Sequence, residues 1–267
     1  VSANAVQQAE RPDQLEEGVR AGVRDLILAL ADSKRLLGMR YADWTLGAPE
    51  LEAGIACASM AQDEWGHARQ LYALLRDFGE DLERVEHGRE PGEYASIEIL
   101  DEPPAEWADL VVLNAIVDTA LSVQVESLMD SSYQPLRQRC EKLLDEERFH
   151  IAHGAAWFRR MAATEGGRRA LLESAARALS VVMRWYGPQE RCAALVDAGV
   201  VGAGPDELRC TLAGRLGPLI ELVDVKVSEA PDFDDFDAGR RRSGGSAPSP
   251  RTVEQVRGDR NRAFLMD

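Results

Sequence analysis

An all-α fold is predicted by three features of this chain. Apolar residues recur at helical spacing along most of its length, strand-type alternation is nearly absent, and Gly and Pro fall where helices would end and begin. A first long helix is expected from about Asp13 to Thr45, with Val19, Val23, Leu26, Leu30, Leu37 and Met39 on its apolar stripe. Gly47 stops it, and Pro49 opens a second helix that runs to about Phe78, where Gly79 suits the position after a helix end. Residues 80–104 are rich in charge and carry Gly88, Pro91, Gly92, Pro103 and Pro104, so they read as a long crossover. Next come a third helix over about Ala105–Asp130, a turn at Ser131-Ser132-Tyr133, and a fourth helix opened by Pro135 and ending near Gly166. Three more are expected at about 167–186, 188–198 and 205–227. Two tight hairpins joined by one long crossover is the topology of a ferritin-like four-helix bundle, here with additional C-terminal helices.

Composition narrows the function. With 31 Lys+Arg against 46 Asp+Glu the net charge is −15, which argues against a nucleic-acid partner, because phosphates need a basic footprint. No run of 18 uncharged apolar residues exists, so no membrane span is expected; Leu110–Met129 comes closest and is interrupted by Asn114, Asp118 and Glu126. Val1 to Arg20 is polar and acidic, without the apolar stretch of a secretory signal. Cys57, Cys140, Cys192 and Cys210 stand singly, which speaks against a disulfide framework or a clustered-cysteine metal site. A reduced, soluble, cytoplasmic protein is expected. Residues 1–230 are read as the helical domain and 231–267 as a flexible tail with a short helix near Thr252–Phe264. Arg240-Arg241-Arg242 reads as a solvated segment, with a partner-docking arm as the alternative.

The chemistry is carried by two repeated segments, Asp63-Glu64-Trp65-Gly66-His67 and Glu146-Glu147-Arg148-Phe149-His150. Each contains Glu-x-x-His, and that spacing puts carboxylate and imidazole on one helix face. The face is an apolar one. Met60, Glu64, His67, Leu71 and Leu74 form one stripe, and Cys140, Leu143, Glu147, His150, Gly154 and Trp157 the other. Carboxylates and imidazoles on a buried face cost several kcal/mol unless they are paired, protonated or bound to metal. Bundles that hold two metal ions use Glu-x-x-His from each of two helices and one carboxylate from each of the others. Partner helices are antiparallel, so the missing carboxylates should lie as far from each turn as the motifs do. Stepping back from the first turn reaches Asp32 or its neighbour, on a stripe with Leu28, Leu36 and Met39; stepping back from the second reaches Asp118, with Val111, Ala115, Leu121 and Val125. The candidate metal ligands are therefore Asp32, Glu64, His67, Asp118, Glu147 and His150, a donor set suited to a pair of Fe or Mn ions.

Other residues compete for these roles. Asp43 and Glu126 also fall near inward faces, but too close to the turns to match the height of the motifs. Asp25 is read as capped or solvated, His153 as packing beside the site, and His87 as exposed in the crossover. Trp65, Trp157 and Phe158 are read as core residues, with a redox relay as the alternative. Asp63 and Glu146 could orient the imidazoles, or serve only as solvated or salt-bridged acids.

Leu30-Ala31-Asp32, Leu37-Gly38-Met39-Arg40-Tyr41-Ala42-Asp43-Trp44, Gly47-Ala48-Pro49-Glu50-Leu51-Glu52 and Gly66-His67-Ala68-Arg69 together resemble the phenylacetic acid catabolism family of ferritin-like oxygenase subunits. The likeness returns at Leu195-Val196-Asp197-Ala198-Gly199-Val200 and Pro205-Asp206-Glu207-Leu208, and covers roughly residues 15–230. The resemblance implies a bacterial multicomponent monooxygenase that epoxidises the ring of phenylacetyl-CoA. That family has a catalytic di-iron subunit and a related structural subunit that has lost metal ligands. The flanking motifs look most like the structural type, whereas Glu64, His67, Glu147 and His150 keep the metal-binding pattern. Aspartates in place of the family's glutamates on the first and third helices would shorten the reach to metal. What the resemblance implies is a di-iron (or Mn, or mixed Fe/Mn) monooxygenase subunit acting on an aromatic acyl-CoA with O₂. It would work with sister oxygenase subunits or copies of itself. Electrons would come from a separate flavin and iron–sulfur reductase, since this chain has neither a Gly-x-Gly-x-x-Gly turn nor clustered cysteines. Lys34, Arg35, Arg69 and Arg148 are candidates for CoA phosphates, each otherwise a solvated helix residue. The alternatives are a non-catalytic structural partner and a ferritin-like ferroxidase or metal-handling protein.

Overall fold

The computed structural model describes residues 8–226, 231–262 and 264. The reading of the extreme N-terminus falls partly on residues 1–7, and that of the tail partly on 263 and 265–267, outside the described residues. The chain forms an all-α, ferritin-like bundle. Its long helices are α1 (Glu17–Asp43), α2 (Leu51–Leu75), an interrupted third helix and α6 (Gln134–Ala162). The third comprises α4 (Trp107–Val112), a wide five-residue turn (Leu113–Val117) and α5 (Asp118–Glu126); the crossover before it contains the short α3 (Leu82–His87). Helices α7 (Glu165–Trp185), α8 (Gln189–Asp197) and α9 (Pro205–Ile220) pack onto the bundle's outside. Thr164 caps α7 by accepting from the Gly167 N–H, and Pro205 opens α9 at a position that needs no N–H.

Helix α1 is the central element. Leu26 through Lys34 are all buried, so this helix has no solvent face along its middle third. It lies against α2 on one side and the crossover on the other. Gly79, at φ 85°, lets the chain leave α2 in a left-handed turn that an L side chain resists. Gly154 lets α6 approach the interrupted helix: a Cβ there would lie 2.8 Å from the Ala115 nitrogen. The segment Trp107–Glu126 is apolar and long enough to cross a membrane, but 94% of its most apolar window is buried in the bundle.

The crossover is held by ions. Arg89 and Asp32 form a buried pair; Asp32 also accepts from Tyr72 Oη (2.5 Å) and the Ala95 N–H (2.8 Å). Here the structure departs from expectation: Asp32 points into the crossover, and its carboxylate is fully engaged there. The tail departs in part, keeping a helix close to the expected one. Its described part folds back as a small antiparallel hairpin, β1 (Phe236–Asp237) with β2 (Arg242–Ser243), followed by α10 (Pro250–Arg257). Arg241 donates to the Trp185 carbonyl (3.0 Å) and stacks 4.4 Å above that indole. Arg242 pairs with Asp101 and donates to the Ser96 carbonyl (3.1 Å). Two of the three arginines read as solvated are thus buried, because carbonyl groups at the ends of other elements satisfy them. Arg40 on α1 donates to Thr252 Oγ1 at 3.1 Å, which ties α10 down.

Because breaking a buried ion pair leaves an uncompensated charge, Arg89→Met is expected to cost about 3–5 kcal/mol in urea unfolding. A loss below about 0.5 kcal/mol would show that the pair does not hold the crossover.

Candidate metal centre

Each long helix delivers one or two polar groups to a single buried point. Glu64 and His67 come from α2, Glu147 and His150 from α6, and all four are at most 1% exposed. Asp118 begins α5 immediately after the wide turn, whose extra residue per turn rotates the helix beyond it. Helix α1 contributes Lys34. Its ammonium donates to Glu64 Oε1 (3.0 Å) and Glu147 Oε1 (2.6 Å) and lies 3.6 Å from Asp118 Oδ1. Five of the six sequence-predicted residues therefore meet, while Asp32 does not. Two residues along a helix is a rotation of about 200°, so Asp32 and Lys34 face opposite ways.

The imidazoles are oriented crosswise between helices. His67 Nε2 lies 2.6 Å from Glu146 on α6, and His150 Nε2 lies 3.3 Å from Asp63 on α2. With Nε2–H donating outward, each Nδ1 turns inward: that of His67 is 3.2 Å from Glu147, and that of His150 is 3.3 Å from Glu64. Asp118 is fixed by the Tyr41 hydroxyl and by Asn114 Nδ2 (3.1 Å), which also donates to the His150 carbonyl (2.8 Å). His153 completes that arrangement, with Nδ1 2.9 Å from Asn114 Oδ1. Four inward atoms remain buried without a hydrogen bond: Glu64 Oε2, Asp118 Oδ1, His67 Nδ1 and His150 Nδ1. Buried, unsatisfied donor atoms of carboxylate and imidazole are what a cation would satisfy. Glu64, Asp118, Glu147 and His150 can each offer one ligand atom within 4.8 Å of the others.

The electrostatics result from burial and crowding. Burial and then Glu147 push Glu64 and Asp118 above the usual carboxylate range, despite Lys34. Burial works against Glu147 as well, yet Lys34 and His67 hold it well below that range. His150 is opposed by burial, but Glu64, Asp118 and Glu147 raise it to about 10. Tyr41 is pushed far up by burial and Asp118, so it stays a neutral donor.

The remaining candidates lie elsewhere. Asp43 pairs with Arg40, Glu126 with Arg215 and Asp25 with Arg24. His87 is half-buried, its Nδ1 3.1 Å from the Arg257 carbonyl. Trp157 packs edge-on against Trp107 at 5.0 Å and Phe158 is buried, whereas Trp65 is partly exposed. Of the residues considered for phosphates, Lys34 is buried in the cluster and Arg35 donates to the carbonyls of Glu86 and Val256. Arg69 and Arg148 are at the surface. Sequence reasoning named Lys34 but did not place it in the cluster, nor Tyr41 and Asn114; for Lys34 the signal was present, since it fills the gap between Leu30 and Leu37 in the first apolar stripe.

A ferritin-like bundle with a buried carboxylate–imidazole cluster, and a lysine set among its acids, is the class that fold and site define. Residues 6–242 match the family described as phenylacetic acid catabolic protein, and the chain belongs to that family. It is similar to two components of the 1,2-phenylacetyl-CoA epoxidase of Escherichia coli (strain K12). To the A component it is 25% identical over 207 residues, which cover 76% of this chain and 67% of the relative. To the C component it is 26% identical over 136 residues, half of this chain and 55% of the relative.

In metal-free protein the raised His150 contributes stability that is full below its ordinary value of 6.5 and is lost as pH rises through about 10. The raised Glu64 and Asp118 act in the same direction from lower pH. Urea midpoints measured in chelator should therefore fall between pH 6.5 and 10, and His150→Gln should flatten that slope; an unchanged slope would show that His150 does not carry the dependence.

Proposed function

We propose that this chain is a supporting subunit of a multicomponent oxygenase that acts on an aromatic acyl-CoA thioester, rather than the subunit that activates oxygen. The observation that carries the reading is Lys34: the first helix brings an ammonium, not a carboxylate, to the cluster. In two-metal bundles the metal ions supply the oxygen chemistry, and four carboxylates neutralise them. Here three carboxylates already share one internal cation. What these residues do is hold the bundle core in register: Lys34 links α1 to α2 and α6, while Asp63 and Glu146 link α2 to α6 through the imidazoles.

The family and the two epoxidase relatives support the oxygenase assignment, because both relatives are subunits of one enzyme. A surface for a sister subunit is at hand. Leu46 (99% exposed), Leu51 (75%) and Ile55 (61%) gather at and beyond the α1–α2 turn, and large apolar side chains left in water mark protein contacts. In this reading the aromatic acyl-CoA, O₂ and the flavin and iron–sulfur reductase meet the sister subunit.

Incubating the iron-reconstituted chain with a reductase of this class, reduced nicotinamide cofactor and phenylacetyl-CoA is expected to yield no oxygenated thioester by mass spectrometry. Product that forms with the chain alone and disappears in Glu64→Ala would overturn the supporting role.

A further inference from the structure

We infer that the cluster is a site for a single divalent transition-metal ion, held by Glu64, Asp118, Glu147 and His150, with the Lys34 ammonium standing where a two-metal bundle holds its other ion. Two independent observations carry this. The first is position. Lys34 bonds to one oxygen each of Glu64 and Glu147, the two motif glutamates contributed by α2 and α6. It takes up the side of the cluster that a first-helix carboxylate would have served, and Asp32 is committed to Arg89. The second is what remains unsatisfied. Glu64 Oε2, Asp118 Oδ1 and His150 Nδ1 are buried without hydrogen bonds, and the residues that bear them, with Glu147, form the group whose donor atoms lie within 4.8 Å of one another.

Charge balance points the same way. Three carboxylates and one ammonium leave two negative charges in a buried space, which one divalent ion balances with His150 as a neutral ligand. Two divalent ions beside Lys34 would leave an excess of positive charge there. His150 is already oriented for the task, since Asp63 accepts at Nε2 and leaves Nδ1 facing Glu64 and Asp118. Mixed oxygen and imidazole donors fit Mn²⁺, Fe²⁺, Co²⁺ or Zn²⁺ better than Ca²⁺ or Mg²⁺. His67 stands apart from that group: the four residues whose ligand atoms lie within 4.8 Å of one another include His150 and not His67, whose Nδ1 faces Glu147 at 3.2 Å.

The inference shares only the position of Lys34 with the supporting-subunit reading, and the two fail separately. A chain that binds one ion and oxygenates phenylacetyl-CoA by itself would sink that reading alone. The test uses the full chain stripped with chelator and reloaded with Co²⁺, with metal counted after dialysis and the ligand field read from the visible spectrum. One cobalt per chain is expected. His150→Ala should lower occupancy at least tenfold, His67→Ala should keep the ion, and Lys34→Glu should raise the count toward two. Far-ultraviolet circular dichroism checks that each variant folds, and the unsubstituted chain carries the count without any variant. Two ions in the unsubstituted chain, none, or equal loss in His67→Ala and His150→Ala would overturn the inference.

Discussion

A single buried ammonium organises this bundle. Lys34 is buried, and its desolvation would cost several kcal/mol if the three carboxylates around it were absent. Those carboxylates would be equally costly without it, because like charges in a low dielectric raise one another's pKa. Each helix of the bundle therefore depends on the others for electrostatic compensation, on top of the apolar packing that any bundle has. Such an interaction is weak evidence for stability as such, since apolar residues of the same volume could replace it. What it specifies is register: α1, α2, α5 and α6 reach mutual satisfaction only when Lys34, Glu64, Asp118 and Glu147 stand at one height.

The supporting details serve the same point. The wide turn before Asp118 and the missing side chain at Gly154 let α6 sit close to the interrupted helix, which brings Asn114 within reach of the His150 carbonyl. The crosswise pairing of His67 with Glu146 and His150 with Asp63 fixes both rings from outside. Asp32, two residues before Lys34, does a different job by anchoring the crossover through Arg89. One helix thus holds the core with one face and the connection with the other.

Much of this was legible in the sequence. Periodicity and the placement of Gly and Pro located the long helices, and the paired Glu-x-x-His motifs with Asp118 located the cluster. The difference lies in α1, where Asp32 pairs with Arg89 outside the cluster. Choosing a ligand there relied on finding the acid within an apolar stripe, and that test selects a face only when the helix has one. Buried all round its middle, α1 offers two apolar stripes, with Asp32 in one and Lys34 in the other. Lys34 was read instead as a solvated helix residue or a contact for CoA phosphates. The basic segment of the tail differs for a related reason: composition treats arginine as solvated, yet Arg241 and Arg242 are satisfied by carbonyls and acids that only the folded chain brings to them. Local spacing does not record such distant partners.

Whether Lys34 occupies one of two cation positions decides how the whole centre works. Anomalous X-ray scattering from crystals of the Co²⁺-loaded chain tests that directly. One peak among Glu64, Asp118, Glu147 and His150, with the Lys34 ammonium still in hydrogen-bonding range of Glu147, is the predicted result. Two peaks in the bundle core, with Lys34 turned away from both motif glutamates, would contradict it.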